Sequence, residues 1–106
     1  MTGRKKVLTV DNLRLNLETR RVQNGRGETM HLTPKEARLL AVFMQYPGLI
    51  LSRRFLMRQV WETNYVGDTR TLEVHVSWLR RKIGANRLVT VRGEGYQFVA
   101  GDESST

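Results

Sequence analysis

The spacing of apolar positions changes period along the chain, and each period predicts an element. Leu13, Leu15 and Leu17 alternate with Arg14, Asn16 and Glu18. A period of two marks a strand with one buried and one wet face. Val7–Val10 and Arg21–Gln23 are short runs of strand-forming character on either side. Asn24-Gly25 is a hairpin-turn signal because both residues tolerate positive φ, and Glu28–Leu32 is the expected return strand. The opening third thus predicts a small antiparallel sheet.

From Thr33 onward the period becomes helical. Thr33 can cap the backbone, Pro34 suits the first helical position, and Glu36 completes a capping box. Leu39, Leu40, Phe43 and Met44 follow at helical spacing, and Pro47-Gly48 predicts an end near Tyr46. Leu49–Leu51 reads as a short apolar connector. Ser52 is the next cap, opening a helix with Leu56, Val60 and Trp61 facing inward; Phe55 stands where a second capping box would need Glu or Gln. Thr63–Asp68 reads as a loop. A third helix is expected over Arg70–Ile83, ended by Gly84. Leu88–Val99 reads as a hairpin turning at Gly93-Glu94-Gly95.

In the third helix, Leu72, Val76, Leu79 and Ile83 fall within an arc of roughly 60° at about 100° per residue. That stripe should pack on the first two helices. The opposite arc carries Arg70, Val74, Ser77, Trp78 and Arg81, with the acidic Glu73 to one side. A merely solvated face would mix Glu with Lys and would not carry Trp and Val together. Such a face suits the DNA major groove, which admits one α-helix. The bland counterpart is a surface helix whose Trp78 folds back on a neighbour. Arg92, just before the final turn, is a cation at a hairpin tip, suited to a narrow minor groove.

Composition narrows the partners. The chain has 106 residues, a formal net charge of +8 and 40% apolar residues, which suffices for one core. Between Leu51 and Arg92 nine cations face three anions, and eight of the nine are Arg, whose planar fork suits phosphates and guanine edges. No membrane-span-length apolar run and no leading apolar segment are expected to act on a bilayer or in export. Cysteine is absent, and His31 and His75 lie far apart, which argues against disulfides and zinc. Ser52, Ser77, His31 and His75 form no nucleophile motif, and the acidic residues are scattered. The expectation is a protein that is not an enzyme, with no cofactor and no metal. RGEGYQF lacks the Lys-Ser/Thr and following helix of a phosphate-binding loop. With 8% aromatics, no stacking platform for single-stranded RNA is evident.

Four segments, TPKEARLL, LSRRFLMRQVW, TRTLEVHVSWLRRKIG and VTVRGEGYQFV, resemble in this order the signature segments of the OmpR/PhoB-type winged-helix domain. This is the DNA-binding effector domain of many bacterial two-component response regulators. The resemblance runs from about Val7 to Val99. It implies an α+β winged helix-turn-helix: a four-stranded antiparallel N-terminal sheet, three helices and a C-terminal β-hairpin wing. The domain would span 7–100, with 1–6 (MTGRKK) a linker remnant or tail and 101–106 a frayed tail.

The resemblance also implies roles. Val74, Ser77, Trp78, Arg81 and Thr90 would read base edges. Arg70, Thr71, His75, Trp61 and Tyr96 would lie at the DNA backbone, and Arg92 in the minor groove. Thr63, Asn64, Tyr65, Val66, Gly67 and Asp68 match a loop that contacts RNA polymerase. The implied partners are double-stranded DNA, bound by two copies on tandem direct repeats, a receiver domain in the full-length protein, and a cognate sensor histidine kinase in a bacterial cytoplasm, with no membrane. Many relatives carry Arg where this chain has Trp78, which implies an altered recognition sequence. The alternative is a winged-helix protein-interaction module using Asn64, Tyr65 and Val66.

Overall fold

The computed structural model describes residues 6–63 and 68–99. The expected N-terminal and C-terminal tails therefore lie outside the described residues except for Lys6. Four strands, β1 (Val7–Val10), β2 (Leu13–Asn16), β3 (Arg21–Gln23) and β4 (Thr29–His31), form an antiparallel sheet in that order. Leu15 pairs with Val22, and Val22 with Met30. Leu13, Leu15 and Val22 are buried on one face while Arg14, Arg21 and Gln23 stand outside, as the alternation predicts.

Two turns of this sheet differ in detail from the expectation. β2 stops at Asn16, short of Leu17, because the Asn16 side-chain oxygen accepts the backbone N–H groups of Glu18 (2.9 Å) and Thr19 (3.0 Å). That local bond offers the chain a turn in place of the ladder. The hairpin after β3 forms, but not by positive φ at Asn24-Gly25. Asn24 Oδ1 accepts from the N–H groups of Arg26 and Glu28, and Gly27 supplies the positive φ of 83°.

Helix α1 (Pro34–Gln45) begins with the predicted capping box: Glu36 N–H donates to Thr33 Oγ1 (3.2 Å), and Thr33 N–H donates to Glu36 Oε1 (2.8 Å). Helix α2 (Arg53–Trp61) starts at Ser52, whose hydroxyl accepts Phe55 N–H at 3.0 Å; the reciprocal half is missing, as Phe55 dictates. Helix α3 (Arg70–Ile83) runs over the predicted residues and packs across α1 and α2. A single 3-10 turn (Ala85–Arg87) leads into the wing, β6 (Leu88–Val91) and β7 (Gly95–Phe98).

The expected connector Leu49–Leu51 is a finding against the sequence reading. Ile50–Leu51 is a strand, β5, paired antiparallel with β7 through Ile50–Gln97 and Leu51–Tyr96. The wing is thereby the outer part of a three-stranded sheet of order β5-β7-β6. Gly95 marks the junction: a Cβ there would stand 2.0 Å from Leu51 O. The core joins both sheets to the helices through Leu13, Leu15, Leu39, Leu40, Phe43, Leu56, Leu72, Leu79 and Phe98, all fully buried. No helix among the described residues is long and apolar enough to cross a membrane.

Candidate nucleic-acid interface

Helix α3 divides cleanly by side. Leu72, Val76, Leu79 and Ile83 are buried against the body of the domain. Arg70, Val74, Ser77, Trp78 and Arg81 are exposed together on the opposite side. Val74 is 42% and Trp78 40% exposed, so an aliphatic and an aromatic side chain face outward together on this helix. Trp78 does lean on a neighbour. Its ring lies 4.9 Å from that of His75, which in turn meets Trp61 edge-on at 5.0 Å. The contact is along the helix and leaves the outer indole surface open.

His75 is held by a 2.7 Å bond between Nδ1 and Thr71 O. A carbonyl oxygen only accepts, so Nδ1 carries the proton and Nε2 remains for an outside partner. Trp61 is steadied from behind by Lys35, whose Nζ lies 5.9 Å from the ring centroid and donates to Val60 O at 3.1 Å. The row Trp61–His75–Trp78 thus forms one side of the α3 surface.

At the N-terminal end of α3, Asp68 and Arg70 form a fork. Arg70 Nε donates to Asp68 Oδ1 (3.1 Å) and Nη2 to Oδ2 (2.9 Å), while Arg70 N–H also donates to Oδ1 (3.0 Å). The guanidinium bonds, joined by the backbone N–H, hold the Asp68 carboxyl down at about 2. The same pairing raises the Arg70 guanidinium above its ordinary value. Of the expected polymerase loop, Thr63 and Asp68 flank the segment; Asn64, Tyr65, Val66 and Gly67 lie outside the described residues.

The wing turns at Arg92–Glu94. Glu94 N–H donates to Val91 O (2.9 Å), Gly93 takes φ +76°, and Arg92 is exposed. Thr90 is exposed one strand position inward from Val91. Tyr96, its cross-strand partner, is only 4% exposed, and the guanidinium groups of Arg53 and Arg80 stand 5.5 Å and 5.9 Å from its ring centroid.

Two residues that sequence reasoning passes over organise this surface. Arg80 Nε donates to Leu88 O (2.8 Å) and Nη2 to Thr90 Oγ1 (2.8 Å), tying α3 to the wing. Lys82 Nζ donates to Glu36 Oε1 (2.8 Å) and His31 O (3.0 Å), tying α3 to α1 and β4. A signal for both exists. At about 100° per residue they fall roughly 80° to either side of the centre of the apolar stripe, where long cationic side chains lay their stems along neighbouring elements. Among the described residues, no group of three or more His, Cys, Asp or Glu side chains is arranged to hold a metal ion.

Comparison with known proteins places the whole arrangement. The family model for "Transcriptional regulatory protein, C terminal" matches residues 27–98. The transcriptional regulatory protein CseB of Streptomyces avermitilis is 46% identical over 94 residues, 89% of this chain and 40% of that protein. The chain thus spans about two fifths of the length of this curated relative. Among solved structures, the DNA-binding domain of Escherichia coli CpxR superposes with TM-score 0.78 at 31% identity, covering 92% of this chain and all of that one. The Klebsiella pneumoniae RstA DNA-binding domain, solved in complex with the RstA box, gives TM-score 0.79 at 28% identity, again over 92% of this chain and all of that one.

Proposed function

The chain belongs to the family of C-terminal transcriptional regulatory domains, the OmpR/PhoB-type winged-helix DNA-binding domains of bacterial two-component response regulators, and from that premise we propose how it engages its duplex. Helix α3 lies in the major groove and the wing reaches the adjacent minor groove. The observation that carries this reading is the outer side of α3, where Arg70 and Arg81 flank the exposed Val74, Ser77 and Trp78. The RstA DNA-binding domain, which superposes on this chain, is solved in complex with the RstA box. A major groove about 12 Å wide accepts one helix.

The division of labour is the one that the family resemblance implies. Arg70, Thr71, His75, Trp61 and Tyr96 serve the phosphate backbone and set the register, and Arg92 enters the minor groove. Val74, Ser77, Trp78, Arg81 and Thr90 meet base edges. The indole of Trp78 offers one N–H donor and a broad apolar surface, suited to a thymine methyl. One domain covers only about 600–1,000 Å² of such an interface, so two copies on a tandem direct repeat supply useful affinity. In the longer protein, residues 1–6 continue as a linker to a receiver domain served by a sensor histidine kinase in the cytoplasm. The segment Thr63–Asp68 faces RNA polymerase.

Selection of bound duplexes from a randomised pool tests the proposal. The expected result is one enriched motif, repeated at a fixed spacing, with binding that weakens steeply as salt rises. Salt-insensitive association with proteins and no enriched duplex would favour the protein-interaction module instead.

A further inference from the structure

We propose that Arg80 is a positioning residue that sets the hydrogen-bonding sense of Thr90, so that the wing presents a hydroxyl donor to the duplex. The inference rests on the DNA-binding reading above and adds to it which way Thr90 bonds and which residue decides this. Thr90 is exposed beside α3 on the first strand of the wing. Its hydroxyl oxygen accepts Arg80 Nη2 at 2.8 Å. A threonine hydroxyl has one proton and two acceptor sites. Arg80 fills one acceptor site with a charged donor, and the positive charge repels any second donor approaching the same oxygen. The hydroxyl proton is left to point outward.

Arg80 is itself held so that it cannot easily turn away. Its Nε donates to Leu88 O at 2.8 Å, and its guanidinium lies 5.9 Å from the centroid of the buried Tyr96 ring. Leu88 and Thr90 are alternate residues of β6, so one planar fork spans the backbone carbonyl of the first and the hydroxyl of the second. Lysine would keep the charge but not the fork. The partner of Thr90 must then be an acceptor on the duplex: a guanine O6 or N7, adenine N7 or thymine O4 on a base edge, or a phosphate oxygen. The amino groups of cytosine and adenine are disfavoured at that position.

The test uses the full chain and the duplex that the wild-type protein enriches from a random pool. Thr90→Val removes the hydroxyl at nearly constant shape and should weaken binding roughly three- to tenfold, while Thr90→Ser should stay close to wild type. Arg80→Lys should lose about as much as Thr90→Val, and the double variant should be no worse than either single one. Thermal melting run in parallel shows whether Arg80→Lys remains folded; the single Thr90 variants give an answer even where it does not. Repeating the selection with Thr90→Val separates the two acceptor sources. Loss of preference at one base pair identifies a base edge, and uniform weakening with an unchanged motif identifies a phosphate oxygen. Wild-type affinity for Thr90→Val, or additive losses in the double variant, overturns the inference while leaving DNA binding intact. No duplex enriched by the wild-type protein overturns the DNA-binding reading itself, and this inference with it.

Discussion

Lys82 Nζ stands 2.8 Å from Glu36 Oε1, joining the last turn of α3 to the first turn of α1 across 46 residues of sequence. Glu36 is 1% exposed, and its same oxygen accepts Thr33 N–H. One buried carboxylate therefore starts α1 and anchors the end of α3, which fixes where the outer surface of α3 points. Removing Lys82 as Lys82→Met leaves that carboxylate with a single backbone donor. Breaking a fully buried pair costs about 3–5 kcal/mol. Lys82 keeps some access to water, so the expected loss is nearer about 2–3 kcal/mol, read by urea denaturation. A change below about 0.5 kcal/mol would show the pair to be inert.

The two sides of α3 should respond oppositely to truncation. Leu79→Ala opens a cavity among fully buried residues and should cost about 2–5 kcal/mol of stability. Val74→Ala, five residues earlier on the exposed side, should cost less than about 0.5 kcal/mol. On enriched duplex the order should reverse for the folded variants, with Val74→Ala showing the altered binding. Equal melting temperatures for the two variants would contradict the assignment of sides.

That division is legible in the sequence because Leu72, Val76, Leu79 and Ile83 hold their period over about three turns, with Gly84 to end it. Much else is not. The strand Ile50–Leu51 is too short to show any period, and its existence depends on β7, far along the chain; the one local trace is Gly95, which must lack a side chain to pass Leu51. Turn chemistry is only half legible. Asn24 acts through its side-chain oxygen, and the positive φ falls on Gly27 and not on the expected Asn24-Gly25 pair. The roles of Arg80 and Lys82 depend on partners at Thr90 and Glu36 that no helical wheel contains.

The Asp68–Arg70 fork predicts a titration and a gain in binding. The Asp68 carboxyl is lowered from 3.8 to about 2, first by the Arg70 side chain and then by its backbone N–H. A carboxyl depressed on folding contributes stability that is present above its unfolded value and is lost as pH falls through the folded one. The pair should hold unchanged from neutral pH down to about pH 4 and fail between there and about pH 2. Carboxyl carbon shifts by NMR should follow that course, and in Arg70→Ala the midpoint should return toward 3.8. Asp68→Asn keeps an acceptor for the helix start but frees the guanidinium for phosphate. Its DNA affinity should rise by roughly three- to tenfold at low salt, and less at high salt.

The wing should register in groove shape. Log affinity is expected to fall with log salt at a slope of about −5, for roughly 5–7 phosphates neutralised per domain. Arg92 is exposed at the turn with no hydrogen-bond partner among the described residues. Arg92→Ala should therefore weaken binding most on duplexes whose flanks have a narrow A/T minor groove. An equal loss on G/C-flanked duplexes would reduce Arg92 to a general phosphate contact, and no loss on either would remove it from the interface.

Trp78 should govern sequence preference more than affinity. It is 40% exposed and braced by His75, so its indole is presented in one orientation and its loss leaves the core untouched. Trp78→Ala should enrich a different motif from the random pool, with a thymine preference weakened at the position it meets. Trp78→Arg replaces an apolar surface and one donor with a planar fork, which pairs with guanine O6 and N7 and discriminates by about 1–3 kcal/mol. That variant should gain a guanine at the same position. Identical enriched motifs for wild type, Trp78→Ala and Trp78→Arg would place this side chain away from the base edges, and the outer side of α3 with it.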